Sequence, residues 1–82
     1  MASPPPLQRI HPDSVYLAGA AKLALDYWRG QPTDEIVRSL RPGSPEALRV
    51  KPDGRTMNGN TRIKVLEERG YDVNSLPRED VP

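Results

Sequence analysis

Ten prolines in 82 residues limit where this chain can form regular structure. The pyrrolidine ring fixes φ and removes the amide donor, so proline ends helices and stays out of central strands. Pro4, Pro5 and Pro6 in "MASPPP", and Pro77 and Pro82 in "LPREDVP", bar both ends from supplying an interior helix or a central strand. This predicts a disordered tail over residues 1–6, a single domain over 7–77 and a second tail over 78–82. A chain this short buries only about 60 to 65 % of the surface its unfolded form exposes. With 35 % apolar residues and no Phe, its core must be small.

Cysteine is absent, which excludes disulfide staples, thiolate zinc sites and cysteine nucleophiles together. The first residues form neither a basic n-region nor an apolar h-region. No window approaches the roughly 20 apolar residues that cross a bilayer. A cytoplasmic protein without a membrane partner is expected.

The formal charge of +1 hides an asymmetry. Residues 36–64 hold Arg38, Arg41, Arg49, Lys51, Arg55, Arg62 and Lys64 against Glu46 and Asp53, an excess of +5. The flanks compensate with −1 over residues 1–35 and −3 over residues 65–82. Converging side chains from the middle segment would attract a nucleotide, a nucleic acid or an acidic protein. The alternative is a solvated face whose arginines pair with the flanking acids.

Between the proline breaks, "SVYLAGAAKLALDYWRG" reads as one helix. Leu17, Ala21, Ala24 and Trp28 form an apolar stripe, and Tyr16, Ala20, Leu23 and Tyr27 form a second beside it. Asp13 or Ser14 is the expected cap, with Gly30 and Pro32 ending the helix. So broad an apolar face implies packing on two sides or a seam with a partner. Trp28, Tyr16 and Tyr27 are expected in the core, because few other large apolar residues are present. "PTDEIVRSLRPG" gives a shorter helix with Thr33 as cap and Ile36, Val37 and Leu40 inward. "ALRVKPDGRTMNG" alternates around a "PDG" turn and predicts a hairpin with Leu48 and Val50 on its apolar face. A third helix spans about Thr61 to Arg69 and stops at Gly70, with a last strand at "YDV". The fold class is therefore a small α+β domain.

The stretch "NGNTRIKVLEERG" carries the candidate chemistry. A helix N-terminus offers unpaired amides and about half a positive charge, so an anion there gains hydrogen bonds and a favourable dipole. Gly59 lets backbone approach a ligand, Asn60 or Thr61 can cap or donate, and Arg62 presents a planar fork suited to phosphate oxygens. Lys51, Arg55 and Lys64 are candidates for added positive charge. The competing reading is a capped helix whose arginine is solvated.

A helix, an apolar strand, "DG", a second strand ending in "NG" and then "xTR" opening a helix that closes with "ERG" resemble the ParB/sulfiredoxin superfamily. The resemblance covers roughly residues 33–77, with "LQRIHP" standing for the family's opening strand. It implies that the turn at Gly59, Asn60, Thr61 and Arg62 binds phosphates of CTP, ATP or ADP with Mg²⁺ at the helix N-terminus. Asn60 stands where sulfiredoxins carry their catalytic cysteine, which excludes sulfinic-acid reduction. Asn58 and Thr61 stand where kinase-like relatives have an acid and a histidine, and the length leaves no room for the DNA-binding and dimerisation regions of ParB proteins. The chain thus resembles a minimal or degenerate module, of the kind also found in bacterial polymorphic toxins and mobile-element proteins.

Catalysis on a bound phosphate would need a general base or a metal pair. Asp53, Glu67, Glu68, Asp72 and His11 are the candidates, and none is assigned a catalytic or metal role. Asp53 reads as a turn residue and His11 as a surface or strand-end residue. Two functions remain open: a phosphate- or nucleotide-binding module, or an interaction domain of the same fold that has lost its ligand.

Overall fold

The computed structural model describes residues 5–81, so the predicted disorder of residues 1–4 and the place of residue 82 lie outside the described residues. Four short strands and three α-helices form the domain: β1 (Gln8–Arg9), α1 (Gly19–Arg29), α2 (Thr33–Ser39), β2 (Arg49–Val50), β3 (Arg55–Asn58), α3 (Asn60–Glu68) and β4 (Glu79–Asp80). Single turns of 3-10 helix occupy Asp13–Leu17 and Val73–Ser75. The sheet runs β1-β3-β2-β4, with β2 and β3 antiparallel, β1 parallel to β3 and β4 parallel to β2.

The hairpin forms at "PDG" for local reasons. Gly54 adopts φ +98°, its amide donates to the Lys51 carbonyl at 2.9 Å, and Asp53 Oδ1 accepts from the Arg55 amide at 3.1 Å. Leu48 and Val50, both fully buried, face the helices as the alternation requires. Ile36, Leu40, Ile63, Val65 and Leu66 meet them, and these residues make the centre of the core.

The N-terminal helix differs from the sequence expectation. Gly19 takes φ +71° after an extended Ala18, which splits the segment into a 3-10 turn and α1. No side chain caps either piece, and Asp13 instead pairs with Arg9 at 2.8 Å. Ala21, Ala24 and Trp28 of the first predicted stripe turn inward together with buried Leu25, and Tyr16 is buried as expected, whereas Leu17, Leu23 and Tyr27 are 77, 71 and 60 % exposed, so the inward face is narrower than the two stripes together. Among the described residues α1 packs mainly against α3 and the preceding 3-10 turn, which leaves Leu23 and Tyr27 outward.

Three smaller expectations are corrected by tertiary contacts. Thr33 is the first residue of α2 and not its cap; its hydroxyl accepts from Arg69 Nη1 at 2.9 Å, tying α2 to the end of α3. The strand expected at "YDV" is a loop and a 3-10 turn. The extended chain that follows supplies β4 from the segment expected as a tail, with the Glu79 amide donating to Leu48 at 2.8 Å and Val81 to Val50 at 3.0 Å. As an edge strand, β4 tolerates the prolines around it.

Exposed ion pairs set a pH dependence. Hydrogen bonds from Arg29, at 2.6 and 3.0 Å, hold the Glu68 carboxyl below the usual carboxylate range. A carboxyl whose pKa falls on folding stabilises the native state above its unfolded pKa, and this is lost as pH falls through the lowered value. Urea unfolding between about pH 3 and pH 6 is expected to show stability declining below about pH 4.5, with Glu68→Gln flattening part of that decline.

Candidate functional site

The junction between β3 and α3 builds the site. Gly59 leaves the strand with φ +109°, a conformation other residues rarely adopt, and the turn of chain there starts α3 at once. The first intrahelical bond runs from Ile63 to the Gly59 carbonyl at 2.9 Å. No side chain caps α3, so the amides of Asn60, Thr61 and Arg62 lack both helical and side-chain acceptors.

These amides open into a cleft of about 280 Å³ that Gly59, Asn60, Thr61 and Arg62 line together with Trp28 and Met57. His11 and Glu46 also line it. The four residues that the sequence grouped as a phosphate cradle therefore share one concave surface.

Arg62 is the distinctive member. It is only 4 % exposed, yet among the described residues no carboxylate comes within 4.0 Å of it. Its Nη1 donates to Ser39 Oγ at 3.0 Å, and its guanidinium carbon lies 5.4 Å from the centre of the Trp28 ring. Ser39 Oγ donates in turn to the Ile36 carbonyl at 2.7 Å, which fixes its lone pairs toward the guanidinium. Burial lowers the pKa of Arg62, and the negative charge of Glu46 opposes that shift. The competing reading, a capped helix whose arginine is solvated, is thus corrected. Truncating Arg62 to alanine would open a void against Trp28 and cost stability as well as charge.

Asn60 plays a different part from the one expected. It is 7 % exposed, with Nδ2 donating to the Thr56 carbonyl at 2.8 Å and Oδ1 accepting from the Ile10 amide at 3.0 Å. Its side chain locks β1 against β3, leaving only its backbone amide to face the cleft. Asn60→Ala strands the buried Thr56 carbonyl and frees the partly buried Ile10 amide, and is expected to cost about 1–3 kcal/mol, mostly from the first. Urea unfolding measures the loss, and faster amide exchange at Ile10 locates it.

The three supporting basic residues do not line the cleft. Arg55 pairs with Asp53 at 2.7 Å in the hairpin turn, beside Lys51. Lys64 lies 3.4 Å from Glu68, 3.7 Å from Asp13 and 5.8 Å from the Tyr16 ring centre. Two positions along a helix with 3.6 residues per turn point nearly opposite ways, so Lys64 cannot share the direction of Arg62. Elsewhere in the basic segment, Arg38 pairs with Glu35 and Arg49 with Glu79. Most of the excess charge is paired locally, as the solvated-face reading has it.

The candidate bases also disperse. Asp53 is in the hairpin turn, Glu67 pairs with Arg9, and Glu68 pairs with Arg29, while Asp72 accepts from Ser75 through its carbonyl. Of that set only His11 reaches the cleft. No cluster of three or more metal-ligating side chains occurs among the described residues. Glu46 and Ser39 escaped the sequence reading, since only the fold brings Glu46 to the cleft and Ser39 to Arg62. No spacing signal joins them.

Comparison with protein-family models, with curated proteins and with solved structures gives no match. Among the described residues, no helix is long and apolar enough to cross a membrane.

Proposed function

We propose that this chain is a phosphate-binding module of ParB/sulfiredoxin-like type, with the anion held at the N-terminus of α3. One observation carries the proposal: Arg62 is buried at the mouth of an uncapped helix without a carboxylate partner. A buried charge is ordinarily paired, because desolvation is costly. A phosphate in the cleft supplies the missing counter-charge and accepts from the amides of Asn60, Thr61 and Arg62 as well.

The cleft volume lies at the lower end of ligand pockets, about 300–1,000 Å³. It has room for a phosphate group and a small substituent. In CTP, ATP or ADP the phosphates would enter and the base would rest outside, with any Mg²⁺ carried by the phosphate oxygens. Trp28, the single tryptophan, reports occupancy directly because it lies under the guanidinium. Fluorescence titration with phosphate, CTP, ATP and ADP, with and without Mg²⁺, is expected to give saturable changes. Flat titrations for the whole panel would contradict the proposal.

A second reading, an interaction domain, is favoured by the exposed apolar side chains Leu17, Leu23 and Tyr27 on one side of the N-terminal segment. Its partner would meet that surface and leave the cleft unchanged. Under this reading a macromolecule, and no small anion, alters Trp28 emission, and Leu23→Ser with Tyr27→Ser removes the effect.

A further inference from the structure

The cleft has two electrical poles. Arg62 and the first-turn amides of α3 make one wall positive, while Glu46 contributes a carboxylate to the same cavity. That carboxylate makes no ion pair and no hydrogen bond among the described residues; the residue's only polar contact there is its amide, which donates to Ser44 Oγ at 3.3 Å. Glu46 stays beyond 4.0 Å of Arg62, yet its charge is near enough to act on the guanidinium. A simple anion entering beside Arg62 gains its partner and is repelled by Glu46. A ligand that also carries a cationic or amino donor satisfies both walls.

We infer that the cleft selects phosphoesters bearing an amine, with the phosphate on Arg62 and the amides of α3 and the amine on Glu46. This rests on the phosphate reading above and narrows it to a ligand class. Met57 and Trp28 line the cavity and suit a short aliphatic link between the two charged ends. Downward pressure on the guanidinium pKa from burial, countered by Glu46, agrees with two charges that sense one another through the cavity.

Isothermal titration of the full chain with O-phosphoethanolamine and with ethyl phosphate tests the assignment, because the two differ by one ammonium group. Wild type is expected to bind phosphoethanolamine about tenfold more tightly, the scale of one charge pair at partly exposed separation. Glu46→Gln, at an exposed position whose amide bond to Ser44 is retained, is expected to erase that preference and to tighten ethyl phosphate. Equal binding of both esters to wild type, unchanged by Glu46→Gln, would overturn the amine assignment and leave the phosphate site standing. A preference restored by Mg²⁺ with ethyl phosphate, rather than by the ammonium, would overturn it in favour of a metal-phosphate ligand. Binding of neither ester to either protein would overturn the phosphate site itself.

Discussion

Replacing Arg62 with methionine is expected to weaken phosphate binding about ten- to a hundredfold while leaving the ligand-free protein as stable as wild type or more so. Arg62 is 4 % exposed and has no carboxylate within 4.0 Å, so one hydrogen bond to Ser39 and the Trp28 ring offset only part of its desolvation. Methionine fills a similar volume against Trp28 without that cost. Replacing buried ionic groups with apolar ones of similar size is often neutral or stabilising by about 1–4 kcal/mol. Two losses oppose this. The cation–π contact with Trp28 is worth about 0.5–2 kcal/mol, and Ser39 loses a donor, though its hydroxyl keeps its own bond to Ile36. Charge-assisted hydrogen bonds contribute about 1.5–3 kcal/mol, so phosphate affinity is expected to fall about ten- to a hundredfold. Urea unfolding and Trp28 titration on the same two proteins check both halves. A variant that unfolds far more easily, yet binds phosphate normally, would assign Arg62 to packing alone.

The second large effect is expected from Gly59→Ala. At φ +109° an L side chain costs about 1–3 kcal/mol. The added Cβ would also stand 3.0 Å from Leu40 Cδ2, 3.3 Å from Leu48 Cδ1 and 3.7 Å from Arg62 Nη2. Leu40 and Leu48 are among the most buried side chains, with little room to retreat, and crowding of that kind adds about 1–3 kcal/mol. Together these take a large part of the roughly 4–12 kcal/mol available to a domain of this size. The midpoint of urea unfolding is expected to drop sharply. Phosphate affinity of the remaining folded protein is expected to drop too, because relieving the strain at φ +109° moves the turn that aims the first amides of α3.

Elements whose signals are local were legible in the sequence. "PDG" needs only Gly54 and Asp53 to turn the hairpin, and the run from Gly59 into "TRIKVLEE" marks the start of α3 without help from elsewhere. Periodicity along "SVYLAGAAKLALDYWRG" was legible as helix, and so was the inward stripe of Ala21, Ala24 and Trp28. The break at Gly19 and the exposure of Leu23 and Tyr27 were not, because how much of the apolar face is covered depends on where α3 lies. Strand β4 was illegible for a similar reason: two residues gain strand structure only from pairing with β2, 30 positions away at Glu79 and Arg49. Within the site, the backbone of Gly59–Arg62 could be read from residue types. The burial of Arg62 could not, because it follows from Ser39 on α2 and Trp28 on α1 arriving beside it.

The most direct test follows the amide resonances of residues 59–62 while inorganic phosphate is titrated into labelled protein at constant ionic strength. Saturable shifts at Asn60, Thr61 and Arg62 in wild type, absent in Arg62→Met, are the predicted result. Shifts that never saturate, that sodium chloride reproduces, or that appear only along α1 would contradict an anion site at this helix mouth.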